Sequence, residues 1–201
     1  MKWDFLNRTN RISPLLTLHV VALLIGAMQS INAVGAELLP DLISWADPSQ
    51  NYLYGWYLDT NEIPGHTLLR ISSAAANIGS GTLELNGSST SPDVYQRIYQ
   101  SGGGFTDRYA GTFTFHPTHG HLHYDGWFRF YLRSVLTNNA VGDIVVSAAK
   151  TSSSIVDVQH YDAGLPGSPA SGQYFGGYTQ GISVGWADIY GANLEEQWID
   201  V

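Results

Sequence analysis

Four of the seven histidines in this chain lie within eight residues, and the last three of them, His119, His121 and His123, alternate with single residues. Successive side chains of an extended strand point to opposite faces, so this alternation places three imidazoles on one face. Neutral imidazole is a common ligand for copper and zinc. Without a metal, three adjacent imidazoles would repel one another as they became protonated. The histidine run therefore predicts a metal site built on a strand.

The same spacing predicts a bend in that strand. In an ideal strand the Cα atoms of His119 and His123 would lie about 13 Å apart. Ligand bonds of about 2 Å can join both side chains to one metal only if the side chains lean inward. Pro117 and Gly120 lie where a kink or a bulge is tolerated.

The first 36 residues have the features of a secretory signal peptide. A basic start is followed by a mostly apolar segment over residues 12–28 and by Val-Gly-Ala at residues 34–36. A membrane anchor is the alternative, but Pro14 and His19 interrupt the apolar segment, which is also short for a bilayer span. We therefore expect cleavage after Ala36, a secreted or extracytoplasmic mature chain, and no stable membrane span after cleavage.

The mature chain, residues 37–201, is long enough for one domain with a sizeable core. It has no cysteine, which excludes disulfides, a thiolate metal site and a cysteine nucleophile. Its six basic and sixteen acidic side chains give a formal net charge of −10, which does not favour nucleic acid as a partner. Lys150 is its only lysine, so this side chain is a candidate for a specific amine role, with genomic bias against lysine as the alternative.

Short segments rich in β-branched and aromatic residues recur through the mature chain, and most are bounded by Gly, Ser, Asn or Asp. Helical periodicity is weak. This pattern predicts an all-β fold, a β-sandwich with long irregular connections and little helix. Residues 161–178, rich in Gly, Ser and Pro, predict a long surface loop or lid. The predicted strands are Leu68–Ala74, Thr82–Leu85, Tyr95–Tyr99, Gly111–Phe115, His121–Leu132 and Asp143–Ala148.

Two kinds of metal protein with paired histidines fit this run incompletely. Metallo-hydrolases of the β-lactamase type use T-H-x-H-x-D-H, but His123 and Tyr124 stand where that motif requires aspartate and histidine. Cupins use H-x-H followed by glutamate on a jelly roll, whereas Asp125 is the nearest acid here and the glycine-rich lead-in is missing. The hydrolase is therefore disfavoured, and the cupin remains a minor alternative.

A third kind is indicated by several segments together. Residues 115–123, F-H-P-T-H-G-H-L-H, resemble the copper-binding stretch of the lysyl oxidase family. Residues 180–191, Q-G-I-S-V-G-W-A-D-I-Y-G, resemble the segment around that family's quinone-forming tyrosine, and residues 197–200, Q-W-I-D, resemble its next landmark. Lys150, followed by Asp157, resembles the family's cross-linking lysine and the acid after it.

This resemblance implies a copper amine oxidase. Copper would be bound by His119, His121 and His123, while His116 would stand beside the ligands. The ring of Tyr190 would be oxidised and joined to the amine of Lys150, giving lysine tyrosylquinone. That cofactor oxidises primary amines, either peptidyl lysine or small amines, to aldehydes with release of hydrogen peroxide and ammonia.

The chain also departs from the animal members of the family, whose domain carries several disulfides. Segments within residues 69–99 are similar to the lead-in strands of prokaryotic members, so the likeness runs from about Leu39 to Val201. Relatives continue beyond the position of Val201, and we expect C-terminal strands of the domain, residues 37–201, to be missing.

Two readings of function remain open at this point. The first is the secreted amine oxidase, and the second is a secreted copper-binding module without catalytic turnover. Both need the three histidines, but only the first needs Lys150 and Tyr190. The general base is not assigned by the pattern; Asp188, two residues before Tyr190, is a candidate, and a solvated or hydrogen-bonding carboxylate is the alternative.

Overall fold

The computed structural model describes residues 35–47, 55–148 and 152–201. Within these ranges the chain forms strands and no helix, which confirms the predicted all-β class. Most of the predicted signal peptide and Lys150 lie outside the described residues. The strands are β1 (Glu37–Leu38), β2 (Leu42–Ser44), β3 (Trp56–Asp59), β4 (Leu68–Ile71), β5 (Ser73–Asn77), β6 (Leu83–Asn86), β7 (Asp93–Gln100), β8 (Phe105–His116), β9 (His121–Tyr124), β10 (Tyr131–Val135), β11 (Val141–Ser147), β12 (Gln159–His160), β13 (Thr179–Ile182), β14 (Trp186–Tyr190) and β15 (Trp198–Asp200).

These strands form four antiparallel sheets. The largest has the order β13-β6-β7-β8-β9, and β1 pairs with the end of β7 beyond the reach of β6. The second sheet has the order β12-β14-β5-β2, the third has the order β15-β4-β3, and β10 pairs with β11 in the fourth. Strand β14 reaches its place beside β5 from far along the sequence, pairing Asp188 with Ala75 and Tyr190 with Ser73.

The main core lies between the largest sheet and the β14 sheet. Alternating residues of β6 are buried, and they meet buried residues of β7, β8, β13 and β14. This two-layer packing is the arrangement expected of a sandwich. The buried members of this core cluster are Leu83, Leu85, Val94, Phe113, Ile155, Ile182 and Trp186.

Two of the predicted strands are each divided between two sheets. The segment Leu68–Ala74 is interrupted at Ser72, whose backbone amide donates a hydrogen bond to the carbonyl of Gly55, 2.8 Å away. The predicted strand His121–Leu132 ends at Tyr124, because Gly126 turns the chain with a left-handed φ of 73°. The chain resumes as β10 in a separate sheet, so neither prediction of a single continuous strand is correct.

The other predicted strands lie within β6, β7, β8 and β11 or differ from them by a residue at an end. Residues 161–178 contain no strand, which agrees with the predicted long loop. No helix among the described residues has the length and apolar character needed to cross a membrane.

Candidate metal centre

The histidine run folds as a hairpin and not as one continuous strand. Strand β8 ends at His116, a four-residue turn follows, and β9 begins at His121, which pairs with His116. The amide of Gly120 donates to the carbonyl of His116 over 2.8 Å, and Gly120 has a φ of 72°, which favours glycine. The predicted bend at Pro117 and Gly120 is thus confirmed. The prediction that His119 shares a strand face with the other two histidines is wrong, because His119 lies in the turn.

The turn nevertheless brings the three imidazoles together. Nε2 of His123 lies 3.0 Å from Nδ1 of His119 and 3.2 Å from Nε2 of His121. His123 is buried, and its Nδ1 lies 3.3 Å from the hydroxyl of Ser152. When three ring nitrogens face one another, hydrogen bonds between them cannot pair all three, whereas one metal ion can accept a lone pair from each. The nitrogen donors therefore fit a metal of the copper or zinc kind.

A fourth imidazole contacts this group. The ring of His116 stacks on that of His119 with centroids 4.1 Å apart, and on that of His123 with centroids 4.7 Å apart. Its Nδ1 is buried and makes no hydrogen bond to any residue in the described ranges. One nitrogen from each of His116, His119 and His123 lies within 4.8 Å of the others. The resemblance places His116 beside the ligands, and the structure shows a nitrogen there that lacks a partner.

Two adjacent carboxylates approach the outer side of the histidines. Oε2 of Glu195 lies 3.2 Å from Nε2 of His119, and Oε2 of Glu196 lies 4.0 Å from Nε2 of His116. Both acids belong to the loop between β14 and β15, and Glu196 has a left-handed φ of 59°, which is uncommon outside glycine and costly by about 1 kcal/mol. Sequence reasoning missed this pair, because 76 residues separate Glu195 from His119 and no spacing rule joins them.

Tyr190 lies at the same place. It shares a cavity of about 350 Å³ with the three histidines predicted as ligands, whose other lining residues are Ser153, Leu194 and Glu195. The hydroxyl of Tyr190 donates a hydrogen bond to the carbonyl of Ser154. Burial raises the pKa of this phenol, and the nearby Asp188 raises it further. The fold therefore joins two segments that are about 70 residues apart in the sequence.

Of the other predicted residues, Asp157 has a structural role. It is buried, and its carboxylate accepts hydrogen bonds from the amides of Gln173 and Ser183 over 2.8 Å each and from the Ser183 hydroxyl over 2.6 Å. These bonds fasten the long loop to the turn between β13 and β14. Lys150 lies outside the described residues, so its pairing with Tyr190 stays a prediction.

Asp188 is not the solvated carboxylate that one alternative supposed. It is 1% exposed, and neither of its carboxylate oxygens makes a hydrogen bond of normal geometry within the described residues. Burial raises its pKa well above the usual value of 3.8, and the nearby amides of Val156 and Ile189 offset only part of that effect. Asp188 and Tyr190 both line a second cavity, of about 260 Å³.

The comparison with protein families gives a match over this part of the chain. Residues 105–201 match the family model described as lysyl oxidase, a range that contains all four clustered histidines, Lys150 and Tyr190. No curated protein sequence and no solved structure matches the chain significantly. The match confirms the resemblance over residues 105–201. The similarity of residues 69–99 to the lead-in strands of prokaryotic members lies outside the matched range and stays a prediction.

Proposed function

Taking as premise that residues 105–201 form a lysyl oxidase family domain, we propose that the protein is a copper-dependent amine oxidase. One observation supports this most strongly: three converging imidazoles and Tyr190 line one cavity. The reaction converts a primary amine, water and O₂ into an aldehyde, ammonia and hydrogen peroxide. The C–H and N–H bonds of the amine supply two electrons, and O₂ accepts them.

In this proposal His119, His121 and His123 hold copper. Their nitrogen donors suit Cu(II), which stands highest among the divalent first-row metals in affinity for such sites. His123 is buried, and its Nδ1 lies within hydrogen-bond distance of the Ser152 hydroxyl. This contact helps to fix the orientation of the His123 ring. Glu195 supports His119 in the same way, since outer hydrogen bonds orient metal-binding histidines.

The second part of the proposal concerns Tyr190 and Lys150, which would form lysine tyrosylquinone. When present, that group supplies the carbonyl electrophile and the electron acceptor for amine oxidation. The chain holds the Tyr190 ring in place through its bond to the Ser154 carbonyl and through contact with Phe128, whose ring centroid lies 6.4 Å away. Burial of the ring keeps bulk water from the reacting position.

The partners we propose are primary amines, with lysine side chains of other proteins among them. The acidic mature chain suits cationic partners, which a surface of opposite charge attracts. A secreted location follows from the predicted signal peptide, and it agrees with a mature chain that has no cysteine to oxidise.

The decisive experiment is peptide mass spectrometry of the full chain after aerobic loading with Cu(II). We expect the peptides that contain Lys150 and Tyr190 to become cross-linked, together with redox staining for a quinone. The Tyr190→Phe variant should lose both signals, whereas the exposed Tyr178→Phe variant should keep them. Unmodified peptides from a protein that binds copper would instead support the copper-binding module without turnover.

A further inference from the structure

The cavity of about 260 Å³ beside Asp188 is separate from the histidine cavity, although Tyr190 lines both. We propose that this second cavity binds the substrate, with its ammonium group at Asp188 and its apolar chain against the aromatic wall. This inference rests on the proposed function, because it assigns a substrate site to the proposed amine oxidase. It adds a preference for amines with a single charge and an apolar tail.

The first argument is the position of the cavity. Asp188 and Tyr190 are two residues apart on β14, so their side chains project from the same face of the strand. Across the sheet Asp188 pairs with Ala75, and both residues line this cavity. An amine at Asp188 would therefore lie next to the Tyr190 ring.

The second argument is the state of the Asp188 carboxylate. A buried carboxylate is normally paired with a cation or held by several hydrogen bonds, because burial of an isolated charge is costly. Asp188 has neither within the described residues: it is in no ion pair of that part of the chain, and its oxygens lack hydrogen bonds of normal geometry. A ligand ammonium would supply the positive charge that favours loss of the Asp188 proton, and also the donors that the resulting carboxylate lacks.

The third argument is the chemistry of the walls. Apart from Asp188, the phenol of Tyr190 and two serines, the lining side chains are apolar or aromatic. The volume is just below the range of about 300–1,000 Å³ typical of small-molecule sites, which suits an alkyl or benzyl amine or one lysine side chain. Aromatic faces also attract cations. The apolar and aromatic lining residues are Leu42, Ile43, Ala74, Ala75, Trp127, Phe128 and Phe130.

The lining of this cavity predicts different binding affinities for amines of equal length. Hexylammonium can place its charge at Asp188 and its tail in the apolar part. Hexane-1,6-diammonium places a second charge there, and no second acid lines the cavity. Desolvating that second charge without a partner is unfavourable, so we expect the diammonium to bind at least about tenfold more weakly.

The test is calorimetric titration of the purified full chain, free of copper, with hexylammonium, hexane-1,6-diammonium and the neutral 1-hexanol. We expect the native chain to bind hexylammonium most tightly and Asp188→Asn to lose the advantage of hexylammonium over 1-hexanol. The control is Asp143→Asn, which removes an exposed acid that does not line the cavity and should bind like the native chain.

Two outcomes would overturn the proposal: no preference of the native chain for hexylammonium over the diammonium, or equal binding of hexylammonium by Asp188→Asn and the native chain. Circular dichroism should show that Asp188→Asn unfolds cooperatively. This control shows that the variant is folded, so that a loss of binding does not result from a loss of folding. Since this titration needs neither copper nor the quinone, its failure is distinct from failure of the cross-link between Lys150 and Tyr190.

Discussion

Replacing Glu195 tests whether an outer carboxylate orients a metal-binding imidazole. Oε2 of Glu195 lies 3.2 Å from Nε2 of His119, while Nδ1 of His119 faces the other imidazoles. If Nδ1 binds the metal, then Nε2 carries the proton, and this N–H donates a hydrogen bond to the Glu195 carboxylate. Loss of such an outer partner typically weakens metal binding by about 10–100-fold.

The neighbouring Glu196 is the matched control. Its Oε2 lies 4.0 Å from Nε2 of His116, which is beyond hydrogen-bond distance. The two carboxylates have similar exposure, 51% for the Glu195 side chain and 44% for that of Glu196. Because solvent screens both charges to a similar extent, the difference between the two substitutions reports the hydrogen bond and not the general loss of negative charge.

We therefore expect Glu195→Ala to weaken Cu(II) binding by about 10–100-fold. Glu195→Gln should lose about tenfold, since a neutral amide oxygen accepts a weaker hydrogen bond than a carboxylate. Glu196→Gln should change the affinity by less than about threefold. Competition with a chromophoric chelator measures the affinities, and electron paramagnetic resonance of the Cu(II) protein reports the ligand field. Equal losses for Glu195→Gln and Glu196→Gln would refute the reasoning, as would an unchanged affinity for Glu195→Ala.

Three further predictions concern the surroundings of Tyr190. Burial raises the pKa of Asp188 well above 3.8, so the folded chain retains a proton that the unfolded chain has lost, and the free energy of unfolding falls as pH rises from 3.8 to the raised pKa. Asp188→Asn should therefore stabilise the protein by about 1–3 kcal/mol at pH 7 and by little at pH 3. Urea unfolding at both pH values measures this difference. Asp157→Ala should lower the free energy of unfolding by about 2–4 kcal/mol and make the loop over residues 161–178 sensitive to chymotrypsin, whereas substitution of the exposed Asp143 by Ala should do neither. Ala75→Leu should fill the cavity beside Asp188 and abolish hexylammonium binding while leaving the affinity for Cu(II) within about threefold; loss of both would mean that the two cavities do not act separately.

The all-β class was predictable from the sequence, because strand periodicity and turn residues are local signals. Division of the segments Leu68–Ala74 and His121–Leu132 between sheets was not predictable, since it depends on which strands pair across long distances. The short strands β13, β14 and β15 also gave no clear periodic signal, although residues 180–191 and 197–200 could be identified by resemblance. Register against β5 and β4 is decided by tertiary packing.

The site was predictable to a similar degree. The histidine spacing indicated a metal, but the strand argument placed His119 wrongly, because a hairpin turn and not strand alternation brings its ring to the cluster. The contact of Glu195 with His119, and the isolation of Asp188, depend on how loops and sheets meet in space. Neither produces a pattern along the chain.

Tyr190 lines both cavities, so the proposed metal site and the proposed substrate site have this residue in common. The first cavity is lined by imidazoles and by Glu195, which contacts His119, a polar setting that suits a metal. The second cavity has mostly apolar walls and the single acid Asp188, a setting that suits an amine with an apolar chain. In our proposals the first cavity would hold the metal and the second would hold the substrate, and Tyr190 lines both. We infer that the unpaired burial of Asp188 lowers the stability of the fold, and a substrate cation would offset that cost.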